Sequence, residues 1–228
     1  MFENIEALDK NKHQDLKFTP VRSYSFARDV NMVPLSYSEI IRASRFFPIV
    51  FPSQGHPLPQ AVLSLTRGRN TFVDQDGNWL APYVPAYIRR YPFILAKTDE
   101  QGHYAVCIDP EAPQLSTDQG DPLYTANFEP SETLTRTMDF LKRYHQEMME
   151  TERLFADFHE RGLLVERQFT VQKEGQTSNI GGFRAVDENG LKELENDVLA
   201  EWVKKGLMGL VYAHLFSLDN ARTLVTSS

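Results

Sequence analysis

Residues 71–98 read TFVDQDGNWLAPYVPAYIRRYPFILAKT, and the parsing of that stretch decides the fold. Phe72 and Val73 favour strand, and Asp74-Gln75-Asp76-Gly77-Asn78 supplies residues that tolerate positive φ and bond their own backbone. Trp79-Leu80 then resumes the apolar run, so the spacing predicts a hairpin. Pro82, Pro85 and Pro92 each fix φ and remove a ladder donor, which excludes a central strand over Ala81 to Tyr91. The chain is predicted to cross there irregularly or in one helical turn, carrying Tyr83, Tyr87, Arg89, Arg90 and Tyr91 between two strands. Phe93-Ile94-Leu95-Ala96 reads as the second strand, buried and closed by a turn at Asp99-Glu100-Gln101-Gly102.

Upstream, residues 1–17 are polar and expected to be mobile, and 18–26 (FTPVRSYSF) has the character of an edge strand. Ser36 with Glu39 three positions on has capping-box spacing and opens a short helix that Pro48 ends. Ile49-Val50-Phe51 and residues 61–66 (AVLSLT) read as strands around a 52–59 loop. Downstream, residues 104–109 (YAVCID) are expected to pair with Phe93 to Ala96, followed by loop as far as Pro130. Ser131 then caps the one long helix, about 30 residues and about 45 Å, with Gly162 just past its end. Leu134, Met138, Leu141, Met148, Phe155 and Phe158 form its apolar stripe. Residues 165–173 and 177–187 read as a hairpin in which Gly181-Gly182 marks a bulge. A second helical pattern covers Leu191 to Lys205, and the near-continuous apolar run 207–216 (LMGLVYAHLF) reads as a central strand. Residues from Asp219 on read as a short helix or tail.

Taken with residues 33–52 (VPLSYSEIIRASRFFPIVFP), 105–115 (AVCIDPEAPQL), 181–194 (GGFRAVDENGLKEL) and 212–220 (YAHLFSLDN), the opening stretch resembles the bacterial SapC family. The resemblance spans about residues 30 to 225 in order and spacing. The family takes its name from a protein linked to a bacterial surface layer, and some relatives are encoded beside halogenase-like and cupin-like proteins. The resemblance therefore implies an accessory role and carries no catalytic residue over to this chain. A peptide-transport permease sharing the name is excluded, because no run approaches the roughly 18 apolar residues that span a bilayer.

The 228 residues are 41% hydrophobic and 24% charged, the composition of a soluble globular protein, and no linker divides them, so a single domain over 1–228 is expected. A net charge of -7 repels phosphate backbones and makes nucleic acid an improbable partner. The opening residues MFENIEALDKNKHQDLKF carry acids and no apolar core of a secretory signal, which points to the cytoplasm unless export is non-classical. Cys107 alone forms no internal disulfide and no cysteine metal cluster.

Each chemical constellation has a bland counterpart. Asp74 to Asn78 superficially resembles a calcium loop, but its glycine arrives early and Tyr83 stands where the bidentate glutamate belongs, so it reads as a turn. Arg89 and Arg90 with Tyr83, Tyr87 and Tyr91 suit bidentate recognition of a carboxylate or phosphate with rings to stack on. The bland alternative has one arginine neutralising a buried acid such as Asp109 or Asp187. His145, Glu152 and His159 sit seven apart on the long helix, not three or four, so they read as structural partners of Arg or Tyr on the sheet. His214 reads as a core histidine bonded to backbone, and Cys107 as a structural thiol raised by apolar neighbours. No dinucleotide or phosphate-loop motif occurs, and no cofactor or metal is expected.

The fold class expected is α+β: a mostly antiparallel, bent sheet of about six to nine strands packed by one long helix and a shorter C-terminal helix. The function expected is non-catalytic binding or accessory work with a protein partner or anionic small molecule, through Tyr83, Tyr87, Arg89, Arg90 and Tyr91. Two alternatives stand beside it. One is a small enzyme whose anionic substrate Arg89 and Arg90 hold while His214 or His103 moves a proton. The other is a structural subunit of an assembly, favoured by an uncovered apolar face. Oligomeric state is not legible in the sequence.

Overall fold

The helix opened by Ser131 carries the molecule. Ser131 Oγ accepts the Leu134 N–H at 3.1 Å, and Gly162 beyond the far end takes a left-handed φ of +70°. Between them Glu132–Glu160 form 29 helical residues, a rod of about 44 Å at 1.5 Å per residue. The computed structural model describes residues 1–2, 4–98, 104–173 and 176–226. In chain order its strands are β1 (Glu6–Ala7), β2 (Lys17–Phe18), β3 (Met32–Pro34), β4 (Ile49–Pro52), β5 (Gln60–Val62), β6 (Phe93–Lys97), β7 (Tyr104–Ile108), β8 (Leu115–Ser116), β9 (Asp121–Pro122), β10 (Leu164–Lys173) and β11 (Gln176–Val186). The helices are α1 (Ile40–Ala43), α2 (Ala86–Arg89), α3 (Glu132–Glu160), α4 (Glu188–Lys192), α5 (Asn196–Lys204), α6 (Leu207–Ser217) and α7 (Ala221–Thr226).

The class is α+β, as expected, with antiparallel pairing throughout. The strands divide into three sheets, ordered β1-β7-β6, β10-β11-β4-β5-β3 and β8-β2-β9, where one bent sheet was expected. Prolines and loops keep most strands to between two and five residues, too short to join into one ladder. Two apolar clusters meet α3 at different heights. Leu134 and Leu141 pack with Phe93, Ile108 and Leu123, whereas Phe155 and Phe158 join the larger cluster around Phe47, Phe51 and Trp202. The Phe158 ring stacks on Trp202 at 4.2 Å. The predicted stripe is therefore real, and its two ends serve separate cores.

Several local expectations change. Leu207–Ser217 is helix α6, not a central strand: Leu207, Leu210, Val211, His214 and Ser217 are buried at helical spacing. The run was too uniformly apolar for periodicity to separate strand from buried helix. Its outer face leaves Phe216 74% exposed. Leu191 to Lys205 breaks into α4 and α5, because Glu195 leaves helical geometry at φ -55°, ψ 141°. The 72–80 hairpin forms in a short version, with one antiparallel bridge, Val73 to Trp79, between the Leu80 N–H to Phe72 carbonyl and Asp74 N–H to Asn78 carbonyl bonds at 2.9 and 3.1 Å, and beyond it Trp79 Nε1 donates to the Tyr83 carbonyl at 2.8 Å. Residues 1–17, expected to be loose, supply β1, the start of β2 and a buried His13. The 18–26 edge strand stops at Phe18, and Ser25–Ala27 is a 3-10 turn. The strand expected over 61–66 is the shorter β5. The β10–β11 hairpin forms with its bulge where Gly181-Gly182 face Gln168. The turns at Asp99 to Gly102 and at Glu174-Gly175 lie outside the described residues.

His214 bolts α6 to two strands. The Val186 N–H donates to Nε2 at 3.1 Å, which leaves the proton on Nδ1 to donate to the Ile49 carbonyl at 2.8 Å. The ring is 1% exposed. This is the expected backbone-bonded core histidine, on a helix instead of a strand. Burial lowers its pKa from 6.5 to about 4, against the smaller raising effect of the Ile49 carbonyl. Between those values the unfolded chain binds a proton that the folded chain refuses, so stability is present above about pH 6.5 and lost as pH falls toward 4. The loss is on the order of 3 kcal/mol. Urea unfolding of the wild type and His214→Gln at pH 7 and pH 4.5 checks this: the variant starts less stable at pH 7 and loses less on acidification, and equal acid losses would contradict the assignment.

Candidate functional site

One buried carboxylate assembles the crossing that the sequence marks out. Glu39, the third position of the Ser36 capping box, is 5% exposed. Its Oε2 accepts the Ser36 N–H and Oγ–H, each at 3.0 Å. Its Oε1 accepts the Tyr83 hydroxyl at 2.6 Å and the Ala86 N–H at 2.7 Å. Ala86 is the first residue of α2, so the same side chain closes one helical turn and opens the next. Pro85 fits there because its missing N–H is not needed at a helix start. Burial, and then the Glu39 charge, raise the Tyr83 phenol well above its usual range.

The middle of α3 completes the frame with polar groups where its two ends carry apolar ones. Glu147 Oε2 accepts the Ser38 hydroxyl at 2.6 Å and, at 3.1 Å, shares the one Ser36 hydroxyl proton with Glu39, and Thr151 Oγ1 accepts the Tyr37 N–H at 2.7 Å. Three cavities open around this joint. One of about 210 Å³ is lined by Arg42, Arg89 and Arg143 with Ser38, Glu39 and Tyr144 among its other walls. One of about 190 Å³ holds Arg90, Tyr87 and the other side of Tyr144. A third, about 570 Å³, is acidic and aromatic, with Asp29, Asp109, Glu111, Phe26, Tyr87 and Tyr91.

The five predicted residues are therefore distributed, not convergent. Arg89 is exposed in the first cavity, its Nε donating to the Val84 carbonyl at 3.0 Å and its guanidinium 5.3 Å from the Phe140 ring. Arg90 points to the second, packed on the rings of Tyr87 at 4.1 Å, Phe2 at 5.2 Å and Tyr144 at 5.5 Å. Tyr83 is spent on Glu39. Tyr91 donates to Asp109 at 3.1 Å and stacks on Phe26 at 4.3 Å. Neither arginine pairs with Asp109 or Asp187 among the described residues, and Asp187 faces Arg167 instead at 3.9 Å. Arg42, 5.0 Å from the Tyr83 ring, and Arg143 complete the first cavity and escaped the sequence reading, as did Tyr144. Tyr144 follows the stripe residue Leu141 by three, the helical spacing that could have found it, whereas Arg143, two residues on, carries no such signal.

The remaining constellations are structural. His145 packs on Tyr104 of β7 at 4.5 Å, His159 accepts from Arg184 of β11 at 3.0 Å, and Glu152 pairs with His56 at 2.5 Å. Asp74 Oδ1 accepts the N–H groups of Asp76 and Asn78 at 3.0 and 2.7 Å, as a turn requires. A Cβ on Gly77, at φ +83°, would stand 2.0 Å from Ser23 Oγ. Burial pushes the Cys107 thiol up. His214, with both ring nitrogens bonded to backbone, lines none of these three cavities, and His103 lies outside the described residues. No group of three metal-ligating side chains forms among the described residues, and no described helix is long and apolar enough to cross a membrane.

The family model SapC matches residues 8–224, nearly the whole chain. No curated protein and no solved structure matches. Because Glu39 is the shared acceptor of four donors, Glu39→Gln turns one accepting oxygen into an amide donor facing donors. Its unfolding free energy is expected to fall by about 3 kcal/mol, while Arg42→Ala at the exposed rim costs under about 1 kcal/mol. Guanidinium unfolding at pH 7 measures both, and an equal cost for the two would refute the central place of Glu39.

Proposed function

Since the chain belongs to the SapC family, we propose that it acts as a non-catalytic binding or accessory protein whose arginine-lined cleft between α2 and α3 holds an anionic group. That group belongs to a small molecule or to a protein partner, and the surface-layer association of the family name fits the second. One observation carries the reading. Arg42, Arg89 and Arg143 line one concavity, and among the described residues no carboxylate pairs with any of them. The two glutamates in the same walls are engaged from inside, Glu39 by the Ser36 N–H, the Tyr83 hydroxyl and the Ala86 N–H, Glu147 by Ser38, and both by the one Ser36 hydroxyl. In a chain of net charge -7, three guanidinium groups against two internally bonded carboxylates leave a local excess of positive charge, and their forked donors suit carboxylate or phosphate oxygens. A subunit role in an assembly is the second reading, favoured by the Tyr212 and Phe216 rings, 6.1 Å apart on the outer face of α6.

Thermal unfolding with inorganic phosphate tests the cleft. Phosphate at ten times its Kd stabilises by about 1.4 kcal/mol, a rise of roughly 3–5 °C for a domain of this size. The rise should saturate at millimolar phosphate and vanish in Arg89→Ala/Arg143→Ala. An unsaturable rise shared by the variant would be general salt exclusion and would remove the reading. For the assembly reading, sedimentation velocity over a concentration series should show association that Phe216→Ser abolishes.

A further inference from the structure

We infer that the acidic cavity, bordered by the Ser25–Ala27 turn, β3 and the residues just past β7, binds a small organic ammonium through Asp109. This site is separate from the arginine cleft and does not depend on it. Its volume is about 570 Å³, within the span of about 300–1,000 Å³ common to small-molecule sites. Asp29, Asp109 and Glu111 supply its charge, and no lysine, arginine or histidine side chain stands in its walls. Phe26, Val30 and Met32 give it apolar surface for the body of the ligand.

Asp109 carries the inference, and Glu39 is its internal control. The two are almost equally buried, 4% and 5% exposed. Glu39 accepts the Ser36 N–H, the Tyr83 hydroxyl and the Ala86 N–H. Asp109 accepts only the Tyr91 hydroxyl, on Oδ2 at 3.1 Å. No described residue donates to its Oδ1, and no described cation, the Met1 ammonium included, pairs with it. A carboxylate withdrawn from water is tolerated where hydrogen bonds or a counter-charge replace its hydration, and here the protein supplies one bond. An ammonium entering the cavity brings both, since its N–H donors and its charge arrive in one group. Aromatic rings in the walls add to the attraction for a cation. The three acids do not converge as a metal site would, because no such group of three forms among the described residues. Charge spread along the walls of a broad concavity suits an organic cation with a body of its own.

Calorimetric titration of the full chain at pH 7 with phenethylammonium chloride and with its uncharged counterpart, phenethyl alcohol, tests the inference. The ammonium should bind at least about tenfold more tightly, the difference that a charge-assisted hydrogen bond makes. Asp109→Asn keeps the shape of the side chain and an acceptor for Tyr91, and should erase that advantage. Met32→Trp fills the cavity from β3 with the acids left in place, and should remove ammonium binding should the first variant lower the thermal midpoint. Equal affinity for the two compounds, or ammonium binding that survives either substitution unchanged, would show attraction to the acidic surface only and overturn the site. If phenethylammonium does not bind, the inference falls and the arginine cleft stands.

Discussion

A single carboxylate with four internal donors is the constraint on which the joint between helices and crossing depends. Glu39 reaches from one helical turn to the first residue of the next and to the phenol between them. Burying a carboxylate is costly unless hydrogen bonds replace its water, and each bond to a charged group contributes more than a neutral one. Once satisfied in this way, the group holds two proline-flanked segments at a distance that apolar packing alone would not specify. The crossing cannot slide, because Tyr83 and Ala86 are tied to the same side chain.

Around that joint the molecule does not close-pack, and the reason is visible in α3. Its two ends present leucine and phenylalanine to separate apolar clusters, while its middle presents Tyr144, Glu147 and Thr151 to the crossing. Polar side chains held by hydrogen bonds keep directions that interdigitating hydrocarbon would give up, so space remains between them. Three cavities result, and their linings differ in sign: arginines on one side of Tyr144, acids around Tyr91, and hydrocarbon between. The acidic net charge of the chain makes the first of these the exception, since its three arginines outnumber Glu39 and Glu147 and, among the described residues, none is paired with a carboxylate.

Much of the local structure was legible. The Ser36 to Glu39 spacing, the Ser131 cap, the Gly162 stop and the Gly181-Gly182 bulge are written in residues with strong backbone preferences, and each occurs where the spacing put it. The five residues of the crossing were correctly placed on a proline-pinned turn, but their grouping into one surface was not. Successive residues of a single helical turn point about 100° apart, so Arg89 and Arg90 necessarily face different cavities. Arg42 and Arg143 were invisible as partners because each comes from another element, far off in the chain. The run 207–216 went wrong for a different reason: with nearly every position apolar, neither period two nor period 3.6 stands out.

What the amino-acid order settled by itself is whatever depends on short-range backbone chemistry: caps, turns, the long helix, the proline crossing, and membership of the α+β class. Tertiary structure alone decided which side chains share a space. Glu39 reads locally as a helix cap, and only the approach of residues 83–86 makes it a fastening. Three separate elements bring Arg42, Arg89 and Arg143 to one cavity, and Arg90 is sent to the next. The difference is physical. A cap is selected by neighbours within a turn of the chain, whereas a cavity is defined by groups that meet only after distant segments have packed.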